Sequence, residues 1–238
     1  LDHTIWNYQT LFLSRHGFRC VAFDWRGHGR SDTPSENYDV DTFADDIAAV
    51  VETLALRDVV LVGHSMGGGY IVRYLARHGS ARVSKIVLIA PTIPFVLQTA
   101  DNPYGAPAAY FEGLRNAWAH DFPKWIDDNK APFFTAATSS ATVSWIADLM
   151  RTAYLPAIMA CHESYVPTDL RADTQHINRP TLIVQGDRDV SAPLELTGRR
   201  AAALIPGSVL EVHAGAGHGV FLTHATQVNS QILEFIRE

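Results

Sequence analysis

The 238-residue chain carries 19 Lys plus Arg against 25 Asp plus Glu, a net charge of -6, with 47% hydrophobic and 18% charged residues. That length suits one domain with an insertion, and the composition is that of a folded globular protein with a sizeable core. An acidic balance without a basic run argues against nucleic acid as a partner, and the most apolar region, Ile86 to Leu97, is broken by Pro91 and Pro94 and too short to span a membrane.

No basic segment followed by an apolar run opens the chain at Leu1, so no signal peptide is read and a cytoplasmic location is expected. Phe18 to Phe23 is the first apolar run flanked by turn residues and is predicted as a strand. The stretch FDWRGHGRSD that follows reads as a structural turn in which Asp24 and Arg26 pin loops. Asp41 to Leu56 places Phe43, Ile47, Val50, Val51 and Leu54 at helical spacing, with Asp41 as the expected N-cap.

Val59 to Val62 is the next strand, leading into a helix over Gly69 to His78, and Lys85 to Ala90 is a third strand. From Pro91 to Arg179 no strand pattern occurs, while Trp118, Phe122, Trp125, Phe133, Phe134, Trp145, Met150, Tyr154 and Tyr165 accumulate. This predicts a helical cap insertion over residues 91–179, between core segments 1–90 and 180–238. Some of its aromatics are expected to face a ligand cavity. Thr181 to Val184 and Val209 to Val212 complete the strands, and Thr226 to Ile236 is the last helix. Strands alternating with helices imply an α/β fold with a mostly parallel sheet covered on both faces. Cys20 and Cys161 lie far apart without a CxxC, and read as core thiols.

The chemistry concentrates at VVLVGHSMGGGY, residues 59–70. Gly63-His64-Ser65-Met66-Gly67 fits G-x-S-x-G between a strand and a helix. A sharp strand-to-helix turn forces its apex residue into strained backbone angles, and Gly63 and Gly67 are expected to make room for it. Ser65 is then exposed beside a helix N-terminus, and the Met66 amide is the expected oxyanion donor. The bland reading is a turn serine that only caps the helix.

A serine hydroxyl needs a base to take its proton and an acid to orient the base. Gly186-Asp187-Arg188-Asp189 follows one strand and Gly217-His218-Gly219 follows the last, so both fall at carboxyl ends, where open α/β sheets build their sites. From the residues alone, either Asp187 or Asp189 could orient His218. His213, His218 and His224 do not form H-E-x-x-H, so no metal is expected. The glycines of HSMGGGY lack the Lys and Ser/Thr of a P-loop, and nucleotide binding is not read here either.

Over nearly its whole length the chain resembles the cofactor-free bacterial haloperoxidase and aryl esterase group of α/β-hydrolases. The resemblance is carried by AFDWRGHGRSD, by the segment from Asp41 to Val83 with its triple glycine, by PTLIVQGDRDVSAP and by GAGHGVFLTHATQVNSQILEFI. It implies a carboxylic ester hydrolase with a Ser65, Asp189, His218 triad in the order Ser, Asp, His, with Asp187 bracing its turn. It also implies a small apolar acyl pocket, for which Trp125, Phe133, Phe134, Val190 and Val220 are the expected lining residues. No cofactor and no metal are implied. Hydrogen peroxide in place of water would give a peracid that oxidises halide.

Two departures stand out: Trp25 occupies a position where the group usually has Arg, and Asn129 to Tyr154 diverges most. In the group, a His-Gly-x-Pro or His-Gly-x-Leu segment precedes the position of Leu1 and supplies the second oxyanion amide. The strand before that segment lies between those matching Phe18 to Phe23 and Val59 to Val62. The natural amino terminus is therefore expected upstream of Leu1.

The expected partner is a small-molecule ester, with no nucleic acid and no membrane, and a homo-oligomer is compatible with the sequence. The runner-up among enzymes is a lactonase or C-C bond hydrolase using the same triad. An Asp-nucleophile dehalogenase or epoxide hydrolase is disfavoured by Ser65. A different class altogether is a ligand-binding module that keeps the triad without turnover.

Overall fold

The computed structural model describes residues 1–238 and contains four strands in one parallel sheet, in the spatial order β1-β2-β3-β4. These are β1 (Val59–His64), β2 (Val83–Ile89), β3 (Thr181–Gly186) and β4 (Val209–His213). The helices are α1 (Asn7–Arg15), α2 (Val40–Thr53), α3 (Met66–His78), α4 (Ala108–Asn129), α5 (Ser140–Arg151), α6 (Leu155–Tyr165), α7 (Arg171–Gln175), α8 (Gly198–Leu204), α9 (Val220–Thr223) and α10 (Ala225–Arg237). Between β2 and β3 the chain makes only helices, turns and isolated bridges. No helix is long and apolar enough to cross a membrane.

A parallel sheet buried on both faces needs apolar residues at successive positions, since neighbours point to opposite sides. β2 and β3 meet that demand. Ile86, Leu88 and Ile183 join Phe43, Ile47, Ile71 and Val72 of α2 and α3 in one core cluster. Val87, Ile89, Leu182 and Val184 join Val220, Phe221, Val228 and Ile232 of α9 and α10 in the other. Ile86 to Ile89 are fully buried, each contributing on the order of 1.5–3 kcal/mol of transfer free energy.

Local chemistry sets the helix ends. Asp39 caps α2, its carboxylate accepting from Thr42 N at 2.8 Å, so the cap lies two residues before the expected Asp41. Asp41 instead sits in the first turn and pairs with Arg73 and Arg77 of α3, which fastens the two helices. α4 breaks at Asp121 (φ -157°, ψ 85°), two residues before Pro123, whose ring nitrogen cannot donate to the helix ladder. Asp24 receives the amides of His3 and Arg30 at 2.6 and 2.9 Å. Arg26 makes a two-pronged pair with Asp46 at 2.6 and 2.7 Å.

The expected strand at Phe18 to Phe23 is not one. No amide from Arg19 to Asp24 donates to another backbone group, and the stretch has no regular structure. The reason is the absence of a ladder partner: Phe18 to Phe23 and β1 both line one cavity without pairing, and β1 is an edge strand of the sheet. β1 residues Val59 to Val62 are only half-buried in consequence. Cys20 is likewise only half-buried, while Cys161 is buried, and both are free thiols.

The inserted helices are keyed to α3 at Gly69, where an added Cβ would stand 2.3 Å from the Tyr165 hydroxyl. That hydroxyl accepts from Thr92 Oγ1 at 3.0 Å and donates to Thr92 O at 3.2 Å. Gly69→Ala is therefore expected to displace Tyr165 and cost about 1–3 kcal/mol. Gly113, exposed on α4 with nothing near its missing Cβ, is the contrast: Gly113→Ala is expected to gain about 0.5–1 kcal/mol. Thermal unfolding of the two variants checks the pair, and equal shifts would contradict this packing.

Candidate active site

Ser65 is the single residue between β1 and α3, with φ 56° and ψ -125°. That conformation is strained for a residue bearing a side chain, by roughly 1–3 kcal/mol. It is held from both sides: Ser65 N donates to Ile89 O at 3.0 Å, and Ser65 O accepts from Gly68 N at 3.0 Å. The small residues around it have different reasons. A Cβ on Gly63 would meet Ile71 Cδ1 at 2.7 Å and Gly67 O at 2.8 Å, so that position is closed to bulk. A Cβ on Gly67 would meet nothing within 4 Å, so the expected clash at Gly67 does not arise; its backbone is what the Gly63 position must clear.

The loop after β3 brings in the acids. Asp189 Oδ2 faces His218 Nδ1 at 2.8 Å, and both side chains are buried. Asp189 Oδ1 accepts the amides of Ser191 and Ala192 at 2.9 and 2.8 Å. Because a carboxylate without a proton can only accept, His218 carries its hydrogen on Nδ1 and leaves Nε2 free to accept one. Asp187 faces elsewhere, its Oδ1 taking Gly215 N at 2.7 Å and so tying the loop after β3 to the turn after β4.

Ser65 and His218 line one cavity of about 900 Å³, with no hydrogen bond between them. Met66 opens α3 at the same place, and the first amides of a helix have no acceptor within it. The arrangement therefore brings together a hydroxyl on a strained turn, an imidazole fixed by a buried carboxylate, and the Met66 amide at the open start of α3.

Of the expected pocket residues, Trp125 and Phe133 line the cavity. Three do not. Val220, which opens α9, is fully buried in the core, Val190 is 61% exposed, and Phe134 packs edge-on against Phe133 without lining the cavity. Sequence reasoning did not select Ile126, Ile158 or His162, which do line it, and it picked out Trp118 and Met150 only as part of the insertion. Because α4 breaks at Asp121, no continuous helical spacing links Trp118 to Trp125 and Ile126, and nothing local marks His162.

Burial decides the charge state of several lining groups. It lowers His28 and His162 to a pKa of about 4, so both are neutral near pH 7. It pushes the Cys161 thiol up to about 12, which keeps that sulfur protonated and a poor nucleophile. His213 meets Gln231 at 2.9 Å and stacks edge-on with His224, apart from the His218 and Asp189 pair.

Residues 5–225 match the family described as alpha/beta hydrolase fold. A non-heme haloperoxidase of Rhodococcus erythropolis is 39% identical, over 97% of this chain and 86% of that protein. A bifunctional esterase/perhydrolase of Acinetobacter calcoaceticus is 36% identical, over 98% of this chain and 86% of that protein. The crystal structure of a bromoperoxidase from Bacillus anthracis superposes with a TM-score of 0.95 at 33% identity, covering 100% of this chain and 88% of that one.

The two lowered histidines tie stability to pH. Between a folded pKa of about 4 and the ordinary 6.5, the unfolded chain binds protons that the folded one refuses. Their contribution is thus complete above the ordinary histidine value and lost as pH falls towards 4. The melting temperature is expected to drop between pH 7 and pH 4.5, and that of His162→Phe to drop less; identical slopes for the two proteins would contradict the burial argument.

Proposed function

The chain belongs to the α/β hydrolase family, and on that premise we propose that it hydrolyses small carboxylic esters through an acyl-enzyme on Ser65. The observation that carries the proposal is the 2.8 Å contact between Asp189 Oδ2 and His218 Nδ1, beside the cavity that holds the strained serine.

In this reading Ser65 Oγ attacks the ester carbonyl while His218 Nε2 takes its proton. The Asp189 carboxylate holds the imidazole in the tautomer that can accept and stabilises the imidazolium that forms. Two backbone amides on Asp189 Oδ1 hold that carboxylate in place. The carbonyl oxygen, becoming negative, meets the Met66 amide at the positive end of α3. His218 then returns the proton to the leaving alcohol. Water, activated by the same imidazole, attacks the acyl-enzyme and releases the acid. Trp118, Trp125 and Phe133 supply an apolar wall for the acyl or aryl part.

A second activity is favoured by the 36% identical relative described as a bifunctional esterase/perhydrolase. If hydrogen peroxide replaces water in the second step, the acyl group leaves as a peracid and Ser65 is restored. The peracid can then oxidise a halide while being reduced to the acid, with no metal or haem required.

Several measurements test this reading. With p-nitrophenyl acetate, Ser65→Ala is expected to lower kcat by about 10⁴-fold or more. Asp189→Asn would present an amide hydrogen to His218 Nδ1, select the wrong tautomer and cost about 10⁴-fold. Asp187→Ala is expected to keep most of the turnover and lose stability instead, since the groups that lose their partner are the Gly215 amide and the exposed Arg188 guanidinium. Full turnover by the Ser65→Ala protein would end the proposal. Peracetic acid formation from acetate and peroxide, absent in Ser65→Ala, tests the second activity.

A further inference from the structure

His64, the last residue of β1, places its side chain where the proposed reaction has no step for it. Its Nε2 lies 3.0 Å from the backbone carbonyl oxygen of His218. Its ring stands 4.5 Å from the His218 ring, 4.7 Å from Phe221 and 6.2 Å from Phe133, centroid to centroid. A carbonyl can only accept, so the hydrogen resides on His64 Nε2 and the bond runs from the imidazole to the backbone.

We propose that His64 is a positioning residue, which ties the main chain of His218 to the turn carrying Ser65 and so sets the separation of nucleophile and base. The inference rests on the Ser65 and His218 roles proposed above.

The geometry explains why such a tie is useful. Asp189 holds the His218 ring at Nδ1, which fixes the ring's direction but not where its backbone sits relative to Ser65. The loop carrying His218 has other main-chain anchors on the inserted segment and on the loop after β3, Gly219 N donating to Phe133 O and Arg188 N donating to Ala216 O, both at 2.9 Å. His64 is bonded covalently to Ser65 and hydrogen-bonded to His218. Among these contacts it is therefore the one that references the base directly to the nucleophile's own turn. Phe133 and Phe221 pack against the ring, which also borders the cavity, so packing on that side helps to aim the donor.

The ring must also stay uncharged. A second cation 4.5 Å from His218 would oppose the imidazolium that forms there during proton transfer. Burial holds His64 well below the usual histidine pKa, and the neighbouring His218 adds to that. A neutral histidine meets each of these demands, giving one fixed donor, no charge and an aromatic body that packs.

Three substitutions, compared with the wild type and Ser65→Ala on p-nitrophenyl acetate, test the proposal, with turnover expressed per site labelled by an organophosphonate. His64→Gln keeps a donor at comparable reach, His64→Met keeps bulk without a donor, and His64→Phe keeps the ring without a donor. The Met and Phe proteins are expected to lose kcat by about tenfold to a hundredfold with KM little changed, as misplacement of the base predicts. The Gln protein should recover most of the lost kcat. Full kcat in either donor-free variant, or a Gln protein no better than Met, would overturn the proposal. If Phe does not fold, the Met and Gln comparison still decides. A wild type that neither turns over nor takes the label would instead refute the esterase reading, a distinguishable outcome.

Discussion

When all strands of a sheet run in one direction, every chain leaving a strand does so at the same edge. That constraint governs this protein. β1 delivers Ser65, β3 delivers Asp187 and Asp189, and β4 delivers His218, so residues separated by more than a hundred positions meet above one rim. The sheet can run parallel only because helices cover both faces, which in turn demands the unbroken apolar character of Ile86 to Ile89 and Leu182 to Val184. Core composition and site location are thus one requirement seen from two sides.

On that rim, strain at Ser65 persists because the surroundings over-determine it. Its amide is engaged by the end of β2 and its carbonyl by the first turn of α3, so relaxing φ would break bonds on both flanks. The acid is fixed in the same manner. Asp189 commits one oxygen to two amides of its own loop and the other to His218, whereas Asp187 is committed to the neighbouring turn. Two carboxylates two residues apart thereby come to differ completely in what they touch.

The cavity beside them is walled by aromatic and aliphatic side chains, and its histidines His28 and His162 are neutral because burial removes the water that would solvate their charge. His64 extends the same logic to the turn itself, offering a donor without a charge. The fold family and its enzymatic relatives give the chemistry of this rim its context, since hydrolases, haloperoxidases and a perhydrolase share the scaffold.

The sequence by itself determined what depends on neighbours along the chain. The β-branched run before Ser65, the glycines around it and the helical spacing of α2 and α10 are local, so the strand, turn and helix were legible to within a few residues. The alternation of strands and helices was enough for a parallel α/β fold. Only the tertiary structure decided matters that depend on partners far away in sequence. Phe18 to Phe23 has strand-like residues but no ladder neighbour, and backbone pairing is a property of two segments, never of one. Val190 and Val220 flank the site in sequence, yet one faces solvent and the other the core, because a loop and a short helix turn them away. Asp189 and Asp187 are indistinguishable as residue types, and only the path of the chain beyond β4 selects which carboxylate meets the imidazole. Local pattern encodes periodicity and backbone angle, while contact between distant side chains is settled by how the sheet and its helices pack.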